Sequence, residues 1–317
     1  MGTEKHLIWL DCDFGTDDAA ALLCAHGAAS LEILGISTLA GNVEAHKTFR
    51  NALRLNRLLG ADYPVYPGAE APLVYPAEPG YRFHGENGLG GVELPLPDRW
   101  ETPAEKAWDA LYRTAAAHPG ALELIATGPL TNVALALNLH PELQKLLRRI
   151  VIMGGAAVGG NKTPAAEFNI YSDPHAAKIV FEAGIPLTMC GLDVTNKAWF
   201  SETELASVGA CGTPAARFFA ESLKTPLRAS GQGTVRLHDV TAVLFVSNPE
   251  LFTGRLAGVR VETRSALTRG KTVTDLWSDQ KFPSRNAFVV LGVDRPAFVR
   301  RVSELVCGLP TPEGIDN

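Results

Sequence analysis

Short apolar runs alternate with stretches of helical periodicity along most of this chain. His6–Leu10 reads as a buried strand, and Ala19–Ala25, rich in alanine and leucine, reads as a helix. A strand over Leu31–Leu39 follows, then an amphipathic helix from Glu44 to Leu59 with Gly60 as its C-cap, then a short strand at Tyr63–Tyr66. After a break, a helix over Pro103–Ala117 leads to the strand Leu122–Thr127, and Gly128 to Asn132 opens a helical run ending near Leu139. Ile150–Met153 is the next strand, followed by a polar loop to Asn169, a helix begun by Asp173-Pro174, and a strand at Pro186–Cys190. Residues 201–250 read as mainly helical, with Ala242–Val246 as an apolar helix. Strands over Val259–Thr263 and Asn286–Val293 and a helix over Pro296–Val306 complete the pattern. Strands that alternate with helices predict parallel βαβ units, whose ligands gather beyond the carboxyl ends of the strands.

Residues 67–103 break the rhythm. They are rich in Pro and Gly and carry His84 within His84-Gly85-Glu86-Asn87-Gly88-Leu89-Gly90-Gly91. A loop this long in a compact domain is functional or disordered. His84 reads either as part of a lid or as a plain surface histidine. No repeat, low-complexity tract or linker divides the chain, so one domain over residues 1–317 is expected.

Composition narrows the function classes. Hydrophobic content of 46% with 20% charged residues describes a protein with ample core, and a net charge of −5 argues against nucleic-acid or acidic-membrane binding. No apolar run approaches a membrane span and the first one is too short for a signal peptide, so a cytoplasmic protein is expected. The cysteines Cys12, Cys24, Cys190, Cys211 and Cys307 are odd in number and show no metal-type spacing, which predicts buried, unpaired thiols.

The chemistry concentrates in Asp11-Cys12-Asp13-Phe14-Gly15-Thr16-Asp17-Asp18, four carboxylates on one strand-to-helix turn. Asp11 and Asp13, two apart, are expected on one face of the strand. Asp17 and Asp18 diverge by about 100° at the helix start, which predicts that they cannot serve one ligand atom together. Two like charges about 4 Å apart repel by roughly 4 kcal/mol at an effective dielectric near 20, more than the roughly 0.3–2 kcal/mol a helix N-terminus returns. Protons or a hard cation with oxygen ligands must balance the site. The plainer reading is that Asp17 caps a helix while the others are solvated.

Further polar groups fall after separate strands: Asn42 after the second, Thr127 after a central one, then Asn161, Glu167, Phe168 and Asn169, with His238-Asp239 before a late helix. DCDFGTDD at 11–18, AGN at 40–42, ATGPLTN at 126–132, MGG at 153–155, GNKTPAAEFNIYSDP at 160–174 and HD at 238–239 resemble, in order, the nucleoside hydrolases. The resemblance spans residues 6 to 300. It implies a single α/β domain with a mostly parallel mixed sheet around a Rossmann-like core, assembled as a homodimer or homotetramer. It further implies calcium-dependent hydrolysis of the N-glycosidic bond of small-molecule ribonucleosides.

Carried over by motif, Asp13, Asp18, the Thr127 carbonyl and Asp239 resemble the Ca2+ ligands, and Asp13 also the general base. Asp17, Asn42, Asn161, Glu167 and Asn169 resemble the ribose-holding residues, with Phe168 in the same segment and Met153 lining the sugar pocket. His238 matches a histidine that helps the base leave, His84 lies in a segment like the loop near the base, and Asp11 resembles a supporting residue. From the residues alone, a helix-start hydrogen bonder is the lesser reading of His238, while Met153 reads equally as core. Phe14 and Val240 stand where the family commonly has proline. No tyrosine occurs in 225–237, where some members carry one, leaving Arg228, Gln232 and Arg236 as substitutes.

Two rivals fit parts of the sequence. A haloacid dehalogenase-type phosphatase also opens with strand-DxD, but Gly15 occupies the place where that pattern has threonine or valine. A calcium-dependent nucleoside- or ribose-binding protein would keep the pocket without turnover.

Overall fold

The computed structural model describes residues 5–277 and 281–312, so the ends of the expected 1–317 domain lie outside the described residues. The strands, in chain order, are β1 His6–Cys12, β2 Leu31–Thr38, β3 Val65–Pro67, β4 Leu122–Ala126, β5 Leu147–Met153, β6 Leu187–Cys190, β7 Trp199–Ser201, β8 Thr234–Arg236, β9 Phe252–Val261, β10 Thr272–Asp275 and β11 Ala287–Val293. Among the described residues, nine of them form one sheet in the order β10-β9-β11-β6-β5-β4-β1-β2-β3. The run from β3 to β11 is parallel, while β9 and β10 are antiparallel additions at one edge. The order β3-β2-β1-β4-β5-β6 is that of a doubly wound Rossmann-type core, as the alternating pattern predicts.

The period-2 alternation of β1 shows why the sheet is covered on both faces. Ile8, Leu10 and Cys12 join one apolar layer with the helices Thr16–Gly27, Ala45–Leu59, His238–Ser247 and Arg295–Cys307. Trp9 joins the opposite layer with the helices Ala107–Ala117, Thr131–Leu139 and Pro174–Glu182. Ends of several helices follow local rules. Gly60 caps its helix with φ 59° in the left-handed region, and Asp173, followed by Pro174, accepts from the Ala176 N–H at 3.0 Å.

The long segment after β3 is irregular apart from the short helix Tyr81–His84. It is fastened to one face of the Ala45–Leu59 helix by side chains spaced three or four residues apart. Lys47 donates to the Glu86 carbonyl (2.8 Å), Asn51 to that of Asn87 (2.8 Å), Arg54 to that of Leu94 (3.0 Å) and Arg57 to that of Leu96 (2.6 Å). These bonds satisfy backbone carbonyls that no strand or helix partner reaches.

Residues 201–250 are mainly helical, as expected, with the three-residue β8 among the helices, paired antiparallel with β7 in a separate two-stranded sheet. Two sequence expectations need correction. β10 has no counterpart in the expected elements; it is short and lies at the sheet edge. Cys211 and Cys307 form a disulfide rather than remaining thiols, whereas Cys12, Cys24 and Cys190 are free and buried. The partners stand 96 residues apart, and only the packing of the Glu202–Gly209 helix against the C-terminal helix brings them together. No described helix is long and apolar enough to cross a membrane.

Alkylation of the unfolded, unreduced protein should therefore label three cysteines by mass spectrometry. Labelling of five would contradict the bridge.

Candidate active site

β1 and β4 lie side by side at mid-sheet, and from them the chain winds away in opposite directions, towards β3 and towards β6. Open sheets bind ligands beyond the carboxyl ends of strands at such a reversal. The aspartates follow β1 there and Thr127 follows β4. Asp17 and Asp18 occupy the first turn of the Thr16–Gly27 helix, and Asp239 the first turn of the His238–Ser247 helix packed against it. One carboxylate oxygen from each of Asp17, Asp18 and Asp239 lies within 4.8 Å of the other two. Asp17 and Asp18, expected to diverge too far to serve one ligand atom together, nonetheless bring oxygens to one spot, which Asp239 approaches from another helix.

Two ionised groups at that spacing repel by at least about 3.5 kcal/mol at an effective dielectric near 20, which two helix N-termini at about 0.3–2 kcal/mol per anion do not offset. Hydrogen bonds offset part of it. Asp18 accepts from Thr127 Oγ1 (2.7 Å), the Gly15 N–H (2.8 Å) and Asn42 Nδ2 (3.1 Å). Asp13 Oδ2 accepts from the Asn42 N–H at 2.7 Å. Asp13 Oδ1 and Asp17 Oδ1, however, are buried with no hydrogen-bond partner among the described residues. Two glycines allow this crowding: a Cβ at Gly41 would collide with Asp13 Oδ2, and one at Gly15 with the His84 ring and the Asn42 amide.

Burial lifts every carboxyl of the cluster. Asp13 is driven well above the usual carboxylate range by burial and then by Asp18; Asp239 likewise, by burial and then by Asp17 and Asp18. Burial and Asp17 raise Asp18, and burial pushes Asp17 up to about 6. Asp11 is turned to the scaffold, accepting from Ser37 Oγ (2.5 Å) and Asn132 Nδ2 (2.7 Å), and burial still pushes it to about 6. Among the described residues, the one basic side chain at ion-pair distance from Asp13, Asp17, Asp18 or Asp239 is His84, whose Nδ1 is 3.8 Å from Asp17 Oδ1. Burial lowers His84 to about 4, so it brings no charge at neutral pH. An oxygen-only donor set with orphaned buried oxygens fits a hard divalent cation: the oxygens of Asp17, Asp18 and Asp239 lie close enough together to hold one, and the Asp13 carboxyl and the Thr127 carbonyl could add to them. That carbonyl accepts from Asn169 Nδ2 at 2.6 Å and keeps a second lone pair.

A cavity of about 400 Å³ opens beside the cluster. Asp17, Asn42, Thr127, Met153, Asn161, Glu167, Phe168, Asn169 and Asp239 line it, together with His84 and His238. Asp13 and Asp18 lie beneath, fully buried. Glu167 caps the Phe168–Ser172 helix, accepting from the N–H groups of Asn169 (2.9 Å) and Ile170 (3.1 Å) and from Gly155 N–H (2.9 Å); burial nonetheless pushes it to about 7. Asn161 Oδ1 accepts from the Phe168 N–H (2.9 Å), and Met153 Sδ touches Asn169 Nδ2 (3.4 Å). His238 Nδ1 meets Thr195 Oγ1 at 2.8 Å, and burial, then Arg236 and His84, lowers the ring to about 3.

The remaining wall was largely missed from the sequence: Arg82, Phe83, Lys162, Asn196, Pro226, Ser230, Thr234 and Val235. Arg82 and Phe83 come from the irregular segment and Pro226, Ser230, Thr234 and Val235 from β8 and the chain before it, where no motif flags them; Asn196 follows the Leu192–Thr195 helix, and Lys162 lies inside the 160–174 motif but was not singled out. Of the three substitutes for a missing tyrosine, Arg236 lines the cavity, Gln232 holds it (Arg236 Nη2 to Gln232 Oε1, 2.9 Å), and Arg228 is exposed elsewhere.

The model of the inosine-uridine preferring nucleoside hydrolase family matches residues 8–300. The chain is 44% identical over 298 residues to a pyrimidine-specific ribonucleoside hydrolase RihA of Shewanella sp. (strain MR-7), covering 92% of this chain and 93% of that protein. It is 42% identical over 305 residues to the RihA of Citrobacter koseri, covering 94% and 96%. Among solved structures, a purine-preferring ribonucleoside hydrolase from Gardnerella vaginalis superposes with a TM-score of 0.89 at 33% identity, covering 96% of this chain and 98% of that one. An inosine-guanosine nucleoside hydrolase gives 0.88 at 31% identity, covering 95% and 98%.

Stability of the cation-free protein should fall with rising pH. Asp11, Asp17 and Glu167 titrate higher folded than unfolded, so their contribution is full below about pH 4 and lost as pH rises through about 6 to 7. Asp13, Asp18 and Asp239, raised by burial and by neighbouring carboxylates, add to this loss, and a divalent cation among them would offset it, so the gain in Tm on adding calcium to chelator-treated protein should be larger at about pH 8 than at about pH 5. An equal gain at both would contradict this electrostatic picture.

Proposed function

The chain belongs to the inosine-uridine preferring nucleoside hydrolases, and from that premise we propose that this N-ribohydrolase acts on pyrimidine ribonucleosides with a bound calcium ion. Membership removes the phosphatase reading. The pyrimidine preference is supported by the identity to the pyrimidine-specific relatives. The observation that carries the hydrolytic mechanism is Asp13, whose one oxygen is fixed by Asn42 while the other is buried and unpartnered beside the clustered carboxylates.

Asp13, Asp18, Asp239 and the Thr127 carbonyl would hold the ion. Calcium bound there would supply a hard Lewis acid that orients a water and the sugar hydroxyls. Asp13 Oδ1 takes a proton from the attacking water, with the carboxyl's orientation set by the Asn42 N–H and by the space left at Gly41. Asp17, Asn42, Asn161, Glu167 and Asn169 engage the ribose, with Phe168 and Met153 forming apolar wall beside it. As the C1′–N bond breaks, positive charge grows on the sugar and the flanking carboxylates favour it. The water oxygen bonds to C1′ as the C1′–N electron pair goes to the base, which leaves as an anion and is protonated by solvent, while the proton held by Asp13 is returned to solvent. His84 and His238 both line the cavity, from where they would meet the base. Thr195 engages His238 Nδ1, which leaves Nε2 for a hydrogen bond to it.

Ribose release from uridine, cytidine, inosine and adenosine tests this reading. Uridine and cytidine should exceed the purine nucleosides by at least about tenfold in kcat/KM, the size of a modest pocket discrimination. The reverse order overturns the base preference, and ribose from none of the four leaves a binding protein. Asp13→Ala should lower kcat by about 10²–10⁴-fold. Cation content is measured on the same sample, and a cation-loaded variant working at near the parent rate rules out Asp13 as the base.

A further inference from the structure

Leaving-group help is the least obvious part of the reaction, because a pyrimidine departing with the bonding electron pair is a poor anion. That charge spreads from the ring nitrogen to the neighbouring carbonyl oxygen, which uracil and cytosine share. A fixed cationic donor in the wall that meets the base would stabilise it without any proton transfer. β8 supplies one. Thr234, Val235 and Arg236 all line the cavity that holds His238 and Asp239, with Val235 buried and the other two half-buried.

The platform beneath Arg236 is firm. In the β7–β8 hairpin Arg236 is the register partner of Trp199. The Arg295 guanidinium stacks 3.3 Å from the Trp199 ring centre, donates to the Trp199 carbonyl at 3.1 Å and pairs with Glu204. Arg236 itself is incompletely satisfied. Nη2 donates to Gln232, whereas Nε is buried and meets no hydrogen-bond partner among the described residues, and no described carboxylate forms an ion pair with this guanidinium. The guanidinium is a permanent cation that lines the cavity with one neutral partner, on Nη2, and no carboxylate, so its other terminal N–H donors are left for an acceptor that a ligand brings.

We infer that Arg236 receives the departing base, donating to the carbonyl beside the glycosidic nitrogen and stabilising the negative charge that develops as the C1′–N bond breaks. This deepens the proposed pyrimidine ribohydrolase activity and rests on it. The interaction strengthens as charge grows, so it acts on kcat more than on KM.

The test compares uridine and cytidine with a riboside carrying a nitrophenolate leaving group, whose departure needs little assistance. Arg236→Met should lower kcat on uridine and cytidine by about 10²-fold, the scale of removing one preorganised donor. Its kcat on the nitrophenyl riboside and its KM on both substrate types should move by less than about threefold. Arg236→Lys, which keeps the charge but loses the planar fork, should recover about tenfold of the loss. Equal losses on both substrate types, or an unchanged rate on uridine, would overturn the inference. A parent enzyme inert towards uridine and cytidine but active on the nitrophenyl riboside instead refutes the pyrimidine reading, before any variant is made.

Discussion

Everything in this molecule turns on keeping negative charge together where it is least comfortable. Asp17, Asp18 and Asp239 bring oxygens within 4.8 Å of one another, Asp13 is buried beside them, and no lysine or arginine answers them at ion-pair distance among the described residues. Burial lifts every one of these carboxyls above its ordinary range, and repulsion from neighbouring carboxylates adds to it at Asp13, Asp18 and Asp239. Such an arrangement is stable only with protons in place or a cation among the oxygens, so the cluster's ionisation and its occupancy are one problem.

The fold is arranged to hold that charge. The doubly wound order puts the cluster beyond β1 and β4, and two helices packed side by side aim their N-termini at it. Asn42 spans the gap with both its amides, one N–H to Asp13 and the side chain to Asp18, while Thr127 ties the end of β4 to Asp18. Gly41 and Gly15 are required by contact with these groups, not by unusual backbone angles. The irregular segment after β3 closes the arrangement by placing His84 against the Thr16 N–H at 3.2 Å, and the bonds from Lys47, Asn51, Arg54 and Arg57 hold it there.

Much of this was legible in the sequence because it is local. An apolar run, a glycine turn and an alanine-rich helix name a strand–turn–helix with carboxylates at its bend, and polar residues after successive strands must meet beyond the sheet. What stayed hidden depends on tertiary packing. The meeting of Asp17 with Asp239 requires knowing that two helices pack together, and the Cys211–Cys307 bridge joins ends of elements 96 residues apart. β8 was absorbed into a helical stretch because three residues carry too little periodicity to register. The cavity wall around it was lost with it, including the contacts that hold Arg236.

The central claim is that the buried carboxylates and a hard cation form a single ionising unit, and calorimetric titration of calcium into chelator-treated protein tests it most directly. Repeating the titration in buffers of different ionisation enthalpy reads the protons released on binding. The account predicts one site per chain, with protons released on binding near pH 6, because burial and neighbouring carboxylates raise Asp13, Asp18 and Asp239 in the empty site. Calcium bound without proton release at that pH, or no calcium bound at all, would contradict it.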